Sequence, residues 1–545
     1  MRSSVIFFCD TEHEVWGVSR FPVRKEVGSM NRTTPRLLFV TPELAPWAKA
    51  GGLGEVSRDL PRALAAAGLD VRLLVPGYPA LMAALPDLQL IADFPALGSA
   101  FASARLFEAR GPFPIYLIEC PTYYRRSGLY QAPEGNDWPD NHLRFALLSR
   151  IAAILGGAGS PLRWNPDVIH CHDWQTGLTP AYLAHRDGGH VPTVMTVHNL
   201  AYQGVFPSHV LDEIGMPREA FTIDGLEYYG NVSLLKAGLS YATRITTVSP
   251  TYAQEIQSPE FGFGLDPLLR RRAAELTGIS NGIDLEQWNP VRDPHLDEPY
   301  DANHLNGKYR NKIALQRELG LPIERDTPLF GMVSRLVWQK GVDLLIEAAP
   351  AIVRMGAQIV VHGEGNHDLE QALNALAARH PREIAVRIGF DERLNHRIVA
   401  GADAFLLPSR YEPCGLTQLH SMRYGTLPVA HATGGLADWV VDAHADTLRA
   451  GTATGFSFSP LTVAQLVATA ERALDTYRAV VLWRTLQRHA MARDCGWSAA
   501  VSGYLDVYRA AADGDWPHRP KGVRAEAPFK VPAGVETLDA HRPAA

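Results

Sequence analysis

The chain alternates short, unbroken apolar runs with longer segments of helical period, and it does so twice. From residue 36 the runs are "RLLFVT", "DVRLLVP", "PIYLIEC", "DVIHCHD", "PTVMTVHN" and "RITTVSP". A second series begins near residue 328 with "PLFGMVSRL", "QIVVHGEG", "IAVRIGF", "AFLLPS" and "LPVAHATGG", separated by helix candidates such as "VDLLIEAAPAIVRMG" and "DLEQALNALAARH". Runs rich in β-branched residues suit strands buried on both faces, as in a parallel sheet with helical crossovers. The pattern predicts an α/β protein of two consecutive doubly wound domains. A Pro- and Asp-bearing passage at about 285–326, ending in the charged helix candidate "KYRNKIALQREL", joins them. At 545 residues the chain is too long for one core, in keeping with this division.

Composition narrows the class. With 46% hydrophobic and 20% charged residues and no apolar run of membrane-spanning length, a soluble globular protein is expected. A net charge of -6 and the lack of a dense Lys/Arg stripe give no sign of a nucleic-acid partner. Cys9, Cys120, Cys171, Cys414 and Cys495 are odd in number and scattered, so a reducing compartment, the cytoplasm, is expected rather than a disulfide framework. The N-terminal "VIFFC" is too short for a secretory core and is followed at once by Asp10, Glu12 and Glu14. Residues 1–34 read as an extension, and the Pro-rich, charged residues 513–545 as a disordered tail.

In doubly wound sheets ligands bind outside the carboxyl ends of the strands. The chemically suggestive residues of this sequence gather there. "KAGGLGEV" (49–56) follows the first run; its glycines permit φ > 0 or close approach, and the helix after it aims free N–H groups at the loop, which suits an anion. Arg335 and Lys340, in "SRLVWQKG", suit a diphosphate, the fork of Arg and the mobile charge of Lys together stabilising a leaving group. Two solvated surface cations are the other reading. Glu412 precedes Cys414, Gly415, Leu416 and Thr417, where successive N–H groups and a helix start could hold phosphate while the carboxylate takes sugar hydroxyls; a solvated loop glutamate is the alternative. Cys414 carries no legible activating arrangement and reads as a buried filler.

His170, Cys171, His172 and Asp173 could suggest a metal site. In a strand, however, residues 170 and 172 share a face that 171 does not, and no second Cys/His cluster accompanies them. The one Asp-x-Asp, Asp513 to Asp515, lies in the tail, so no metal and no other cofactor is expected, and protein cations must take the phosphates. His198 and Asn199 end another run; with Tyr202, Gln203 and Gly204 they make a polar, hydroxyl-binding surface, unless His198 is a core histidine with a satisfied partner.

Taken in order over about residues 36–511, "KAGGLGEV", "HCHDWQTGLTPAYL", "TVHNLAYQGVF", "LKAGLSYATRITTVSPTYAQEI", "SNGID", "SRLVWQKGVDLL", "PSRYEPCGLTQLHSMRYGTLPV" and "TGGLADWV" resemble bacterial glycogen synthases and plant starch synthases. The resemblance implies two Rossmann-like domains facing across a cleft, the GT-B plan: an acceptor-side domain at 35–275, a nucleotide-sugar domain at 276–495, and a last helix at 496–512 crossing back to the first. It also implies metal-independent, retaining transfer of glucose from ADP-glucose to an α-1,4-glucan. Carried onto this sequence, Lys49, Gly51 and Gly52 approach the sugar nucleotide, and Arg335 and Lys340 hold its diphosphate. Glu412 and the Cys414–Thr417 backbone bind glucose hydroxyls and phosphate, His198 and Asp173 line the glucose pocket, and Asn199 and Asn281 join the binding set. On this reading the loop at 49–54 is bare so that one domain closes its backbone onto a donor held by the other.

The sequence departs from the family pattern at several places. His420 stands where related transferases carry a second Glu, Glu55 replaces the usual Asp, Trp338 replaces a smaller polar residue, and Ser280 opens "SNGID". An inactive glucan-binding paralogue and an α-glucan phosphorylase are the competing classes. The joint presence of Lys49, Arg335, Lys340 and Glu412 argues against the first, and the lack of a pyridoxal-phosphate lysine motif against the second.

Overall fold

The computed structural model describes residues 34–512, apart from 96, 98–100, 134 and 186–190, together with the short strand Leu538–Asp539. The first sheet contains Arg36–Val40 (β1), Asp70–Pro76 (β2), Gln89–Phe94 (β3), Ala104–Ala109 (β4), Ile115–Glu119 (β5), Val168–His172 (β6), Thr193–Val197 (β7), Arg244–Thr247 (β8) and Leu276–Gly278 (β9), in the spatial order 9-8-7-6-1-2-5-4-3. Its strands run parallel except for the edge pair β3 and β4, which adds on antiparallel. The second sheet contains Leu329–Val333 (β10), Gln358–Gly363 (β11), Ile384–Ile388 (β12), Ala404–Leu407 (β13), Leu427–His431 (β14) and Phe456–Phe458 (β15), all parallel, in the order 12-11-10-13-14-15.

The two-faced burial that the apolar runs predict is visible residue by residue. In β10, Phe330 and Met332 enter one core with Ile359, Val361, Leu406 and Val429, while Leu329 enters the opposite core with Val360, Phe405 and Ala430. Helices Val342–Arg354 and Val463–Arg478 cover the first of these faces; Asn306–Leu319 and Glu392–Gly401 cover the second. Such a sheet has no wet face, which is why its strands lack polar alternation.

One strand lies across the boundary suggested by the sequence. A division after residue 275 would cut β9 from its sheet, because Leu276 and Gly278 pair with Ile245 and Thr247 of β8; three half-exposed residues leave too weak a pattern to read. The extension 1–34 and tail 513–545 lie outside the described residues, save Thr34 and the strand Leu538–Asp539, which pairs in parallel with Ala48–Lys49.

Helix Ser498–Ala511, which follows the whole second sheet in the chain, buries Val501, Tyr504, Leu505 and Tyr508 in the core of the first. The two domains also meet through helices. Helix Pro250–Glu255 is capped by Ser249, whose Oγ accepts from the Tyr252 N–H and donates to Asp438 of the second unit; Thr251 donates to the same carboxylate at 2.6 Å. Glu255 accepts in turn from the Thr433 hydroxyl at 2.9 Å and the Gly434 N–H at 3.0 Å.

Candidate active site

A doubly wound sheet opens a crevice where its strand order reverses. That point lies between β1 and β6 in the first sheet and between β10 and β13 in the second. The loops leaving these strands line a single cleft of about 1080 Å³.

On the second-domain wall, Lys340 donates to Glu412 at 2.5 Å, and the Ser409 hydroxyl donates to the same carboxylate oxygen at 3.1 Å. Gly341 (φ 67°) lets the two loops touch, since a Cβ there would lie 2.0 Å from the Pro408 carbonyl oxygen. Arg335 reaches across the cleft, donating to the Tyr202 hydroxyl at 2.9 Å with its guanidinium 5.9 Å from that ring. Helix Leu416–Arg423 begins at Gly415 with no side-chain cap, so the first N–H groups, those of Leu416 and Thr417 among them, open on the cleft. Burial pushes the Cys414 thiol up to about 12, which leaves it protonated and unfit as a nucleophile at neutral pH. Asn281, nearly buried, hydrogen-bonds beside it.

The first-domain wall is acidic. Asp173, just past β6, holds a backbone conformation (φ 56°, ψ -176°) rare for any residue but glycine. Its carboxylate accepts the His198 main-chain N–H at 2.7 Å. Burial pushes the Asp173 carboxyl up to about 7, with the nearby Glu43 adding to the rise and the N–H groups of His198 and Asn199 opposing it. The His198 ring, held to about 3 by burial, is neutral, and its Nε2 lies 2.9 Å from His172 Nδ1.

The glycine loop meets the expectation of close approach but not that of a positive φ or of free N–H groups. No positive φ is used: Gly51 is extended (φ -166°), and Gly52 and Gly54 already belong to helix Gly52–Ala66. What the missing side chains supply is space. A Cβ on Gly52 would lie 3.1 Å from Leu416 of the opposite wall, and one on Gly54 would lie 3.1 Å from Lys49. The N–H groups of Ala50 and Gly51 are already taken by the Glu43 carboxylate, at 2.9 and 3.3 Å, and Lys49 pairs with Glu55 at 2.5 Å. Burial alone would raise the Glu55 carboxyl, but Lys49 and its other cationic neighbours bring it down to about 2.

Every residue assigned to the site from the sequence lines this one cleft: Lys49, Gly51, Gly52, Asp173, His198, Asn199, Asn281, Arg335, Lys340, Glu412, Cys414, Gly415, Leu416 and Thr417. Sequence reasoning missed Glu43, Tyr130, Trp174, Phe390 and Glu392, which line it too. Glu43, buried and bonded to the Tyr130 hydroxyl at 2.7 Å, had one available signal: a carboxylate three residues beyond a strand end in "LLFVTPEL". Among the described residues no three His, Cys, Asp or Glu side chains gather as a metal-holding group.

The comparisons agree with this geometry. Residues 36–271 match the starch synthase catalytic domain family, and residues 320–482 match glycosyl transferases group 1. The chain is 50% identical to a glycogen synthase of Nitrosospira multiformis over 87% of this chain and 96% of that one. It is 51% identical to a glycogen synthase of Aromatoleum aromaticum over 88% and 98%. Among solved structures, the catalytic domain of starch synthase IV from Arabidopsis thaliana, bound to ADP and acarbose, superposes with a TM-score of 0.80 at 31% identity, covering 88% of this chain and all of that one. With half the aligned residues identical over nearly the whole length of these relatives, and with its strand-end loops converging on one cleft, the chain belongs to the glycogen synthase family of GT-B glucosyltransferases.

Proposed function

We propose that this protein transfers glucose from ADP-glucose to the non-reducing end of an α-1,4-glucan, with retention at the anomeric carbon. The observation that carries this reading is the polarity of the cleft. Arg335 and Lys340 stand on one wall beside an uncapped helix start, and the acidic side chains of Glu43 and Asp173, both raised by burial, stand with neutral His198 on the other. A sugar diphosphate fits that gradient with its phosphates on the second domain and its glucosyl group toward the first. Arg335 and Lys340 neutralise the departing diphosphate. Glu412 orients glucose hydroxyls, and Asp173 and His198 bound the glucosyl group where the acceptor arrives. Lys49, Gly51 and Gly52 complete the wall that closes on the donor, excluding water so that transfer outruns hydrolysis.

The test is glucose incorporation into glycogen from ADP-glucose and UDP-glucose in parallel. A higher kcat/KM with ADP-glucose is expected, as the likeness to an ADP-bound starch synthase supports; equal or better turnover with UDP-glucose would overturn the donor assignment. Because protein cations serve the phosphates, EDTA is expected to leave the rate unchanged. Activity lost in EDTA and restored by Mg²⁺ or Mn²⁺ would reassign that charge to a metal. We place the enzyme in the cytoplasm, where the free thiols Cys120, Cys171, Cys414 and Cys495 stay reduced; no described helix is long and apolar enough to cross a membrane.

A further inference from the structure

We propose that His172 is a positioning residue that locks His198 in the tautomer carrying its proton on Nδ1, so that the cleft meets one fixed N–H donor there. The catalytic consequence rests on the sugar-binding reading of the cleft; the tautomer does not.

His172, in β6, is fully buried between aromatic faces: the Phe39 ring lies 4.0 Å away and the His170 ring 4.1 Å. Its Nδ1 is 2.9 Å from His198 Nε2, while its own Nε2 is buried with no hydrogen-bond partner among the described residues. A neutral imidazole has one N–H and one lone pair. Were the His172 proton on Nε2, a buried N–H would have no acceptor, an arrangement rarer in folded proteins than an unmatched acceptor. The proton therefore sits on Nδ1 and is donated to His198 Nε2. His198, which has a single proton, must then hold it on Nδ1, since the hydrogen bond made by one ring nitrogen decides the state of the other.

The alternative, a cationic His198 donating from both nitrogens, is opposed by its burial, which holds His198 and His172 well below the ordinary histidine range. The support continues behind His172. His170 Nε2 lies 2.6 Å from the Thr196 hydroxyl, and His170 Nδ1 lies 2.9 Å from the Tyr508 hydroxyl on the returning helix Ser498–Ala511. With the His198 main chain pinned to Asp173 as well, the ring has little freedom to turn. A sugar hydroxyl opposite His198 Nδ1 would meet a donor only, which orients that hydroxyl as an acceptor.

The test uses the full-length protein with histidine-selective ¹⁵N labelling, the His198 resonances being identified by their loss in His198→Gln. Ring ¹⁵N shifts are expected to show Nδ1–H at both His198 and His172; Nε2–H at His198 overturns the proposal, whatever the variants do. In the kinetic arm, His172→Leu is expected to lower kcat by about 10- to 100-fold, the order of loss known when the partner that orients a metal-ligating histidine is removed, with little change in donor KM. His172→Asn, whose amide nitrogen stands close to the place of Nδ1, is expected to restore most of that loss. Folded Leu and Asn variants that are equally impaired, or a Leu variant of normal kcat, would overturn the positioning role. If the wild type transfers no glucose, the proposed function fails, while the tautomer is still read from the spectrum.

Discussion

Lys340→Ala is expected to lower kcat by about 10²–10³ while raising donor KM far less, the signature of a donor aimed at charge that develops only as the glucosyl bond breaks. Lys340 is held by its pairing with Glu412 at 2.5 Å and stands five residues from Arg335, on the loop that the strand-order reversal opens to the cleft. An ammonium positioned in advance costs no reorganisation when charge appears on the leaving diphosphate, so its contribution is greatest in the transition state. Lys340→Arg is expected to recover only part of the rate, because a planar fork cannot occupy the place of a compact point charge. Among the described residues, the alanine variant leaves the buried Glu412 carboxylate with only the Ser409 hydroxyl beside it, which lowers stability as well as rate. Melting curves read the first effect and kcat of the folded protein the second. A folded Lys340→Ala protein within about threefold of wild-type kcat, far short of the loss expected for such a contact, would return this lysine to a structural role.

How far the sequence disclosed this molecule depended on whether a residue's job was local. The inner strands of both sheets were legible because double-sided burial favours unbroken apolar runs, as Leu329 and Phe330 illustrate by entering opposite cores, whereas the short edge strands β9 and β15 left no run to read. The antiparallel edge pair β3 and β4 was not legible either, since its partly exposed residues give no continuous run. Clustering at strand ends was enough to bring Lys49, Arg335, Lys340 and Glu412 to one cleft. Their partners were hidden: Arg335 bonds a tyrosine 133 positions away and Glu43 one 87 positions away, and no short pattern reports such pairs. The glycine loop was misread because glycine in a helix interior costs about 1 kcal/mol relative to alanine, so local propensity placed the helix start later. Tertiary demand prevails there, with Gly52 kept bare against Leu416. His420 posed a different problem. Its departure from the family pattern was visible, but its ring stacked 3.6 Å from Trp288, which itself stacks on His396, requires the folded chain.

The same dependence on close approach gives the second large effect, expected from Gly435→Ala. Helix Gly434–Trp439 begins against the loop that carries Glu412: the Gly435 N–H donates to the Glu412 carbonyl at 2.9 Å. A Cβ on Gly435 would fall 1.9 Å from the Cys414 carbonyl oxygen and 2.7 Å from its Cα, a collision with backbone that no rotamer change relieves. The helix has little room to retreat, because Glu255 holds Gly434 and Asp438 accepts from Ser249 and Thr251. The loop must therefore move, taking Glu412 and the Cys414–Thr417 N–H groups out of register with Lys340. A misplacement of about 1 Å at a reacting centre can cost about 10²-fold in rate, and overpacking of this kind costs about 1–3 kcal/mol in stability. Both losses are expected together in Gly435→Ala, the first in kcat and the second in melting temperature. Gly451→Ala supplies the contrast: it sits at a positive φ of 69° with no neighbour within 3.7 Å of the added carbon, so backbone strain lowers its stability without touching the cleft. If Gly435→Ala turned over as fast as Gly451→Ala, the contact between this helix and the Glu412 loop would have no part in holding the active site.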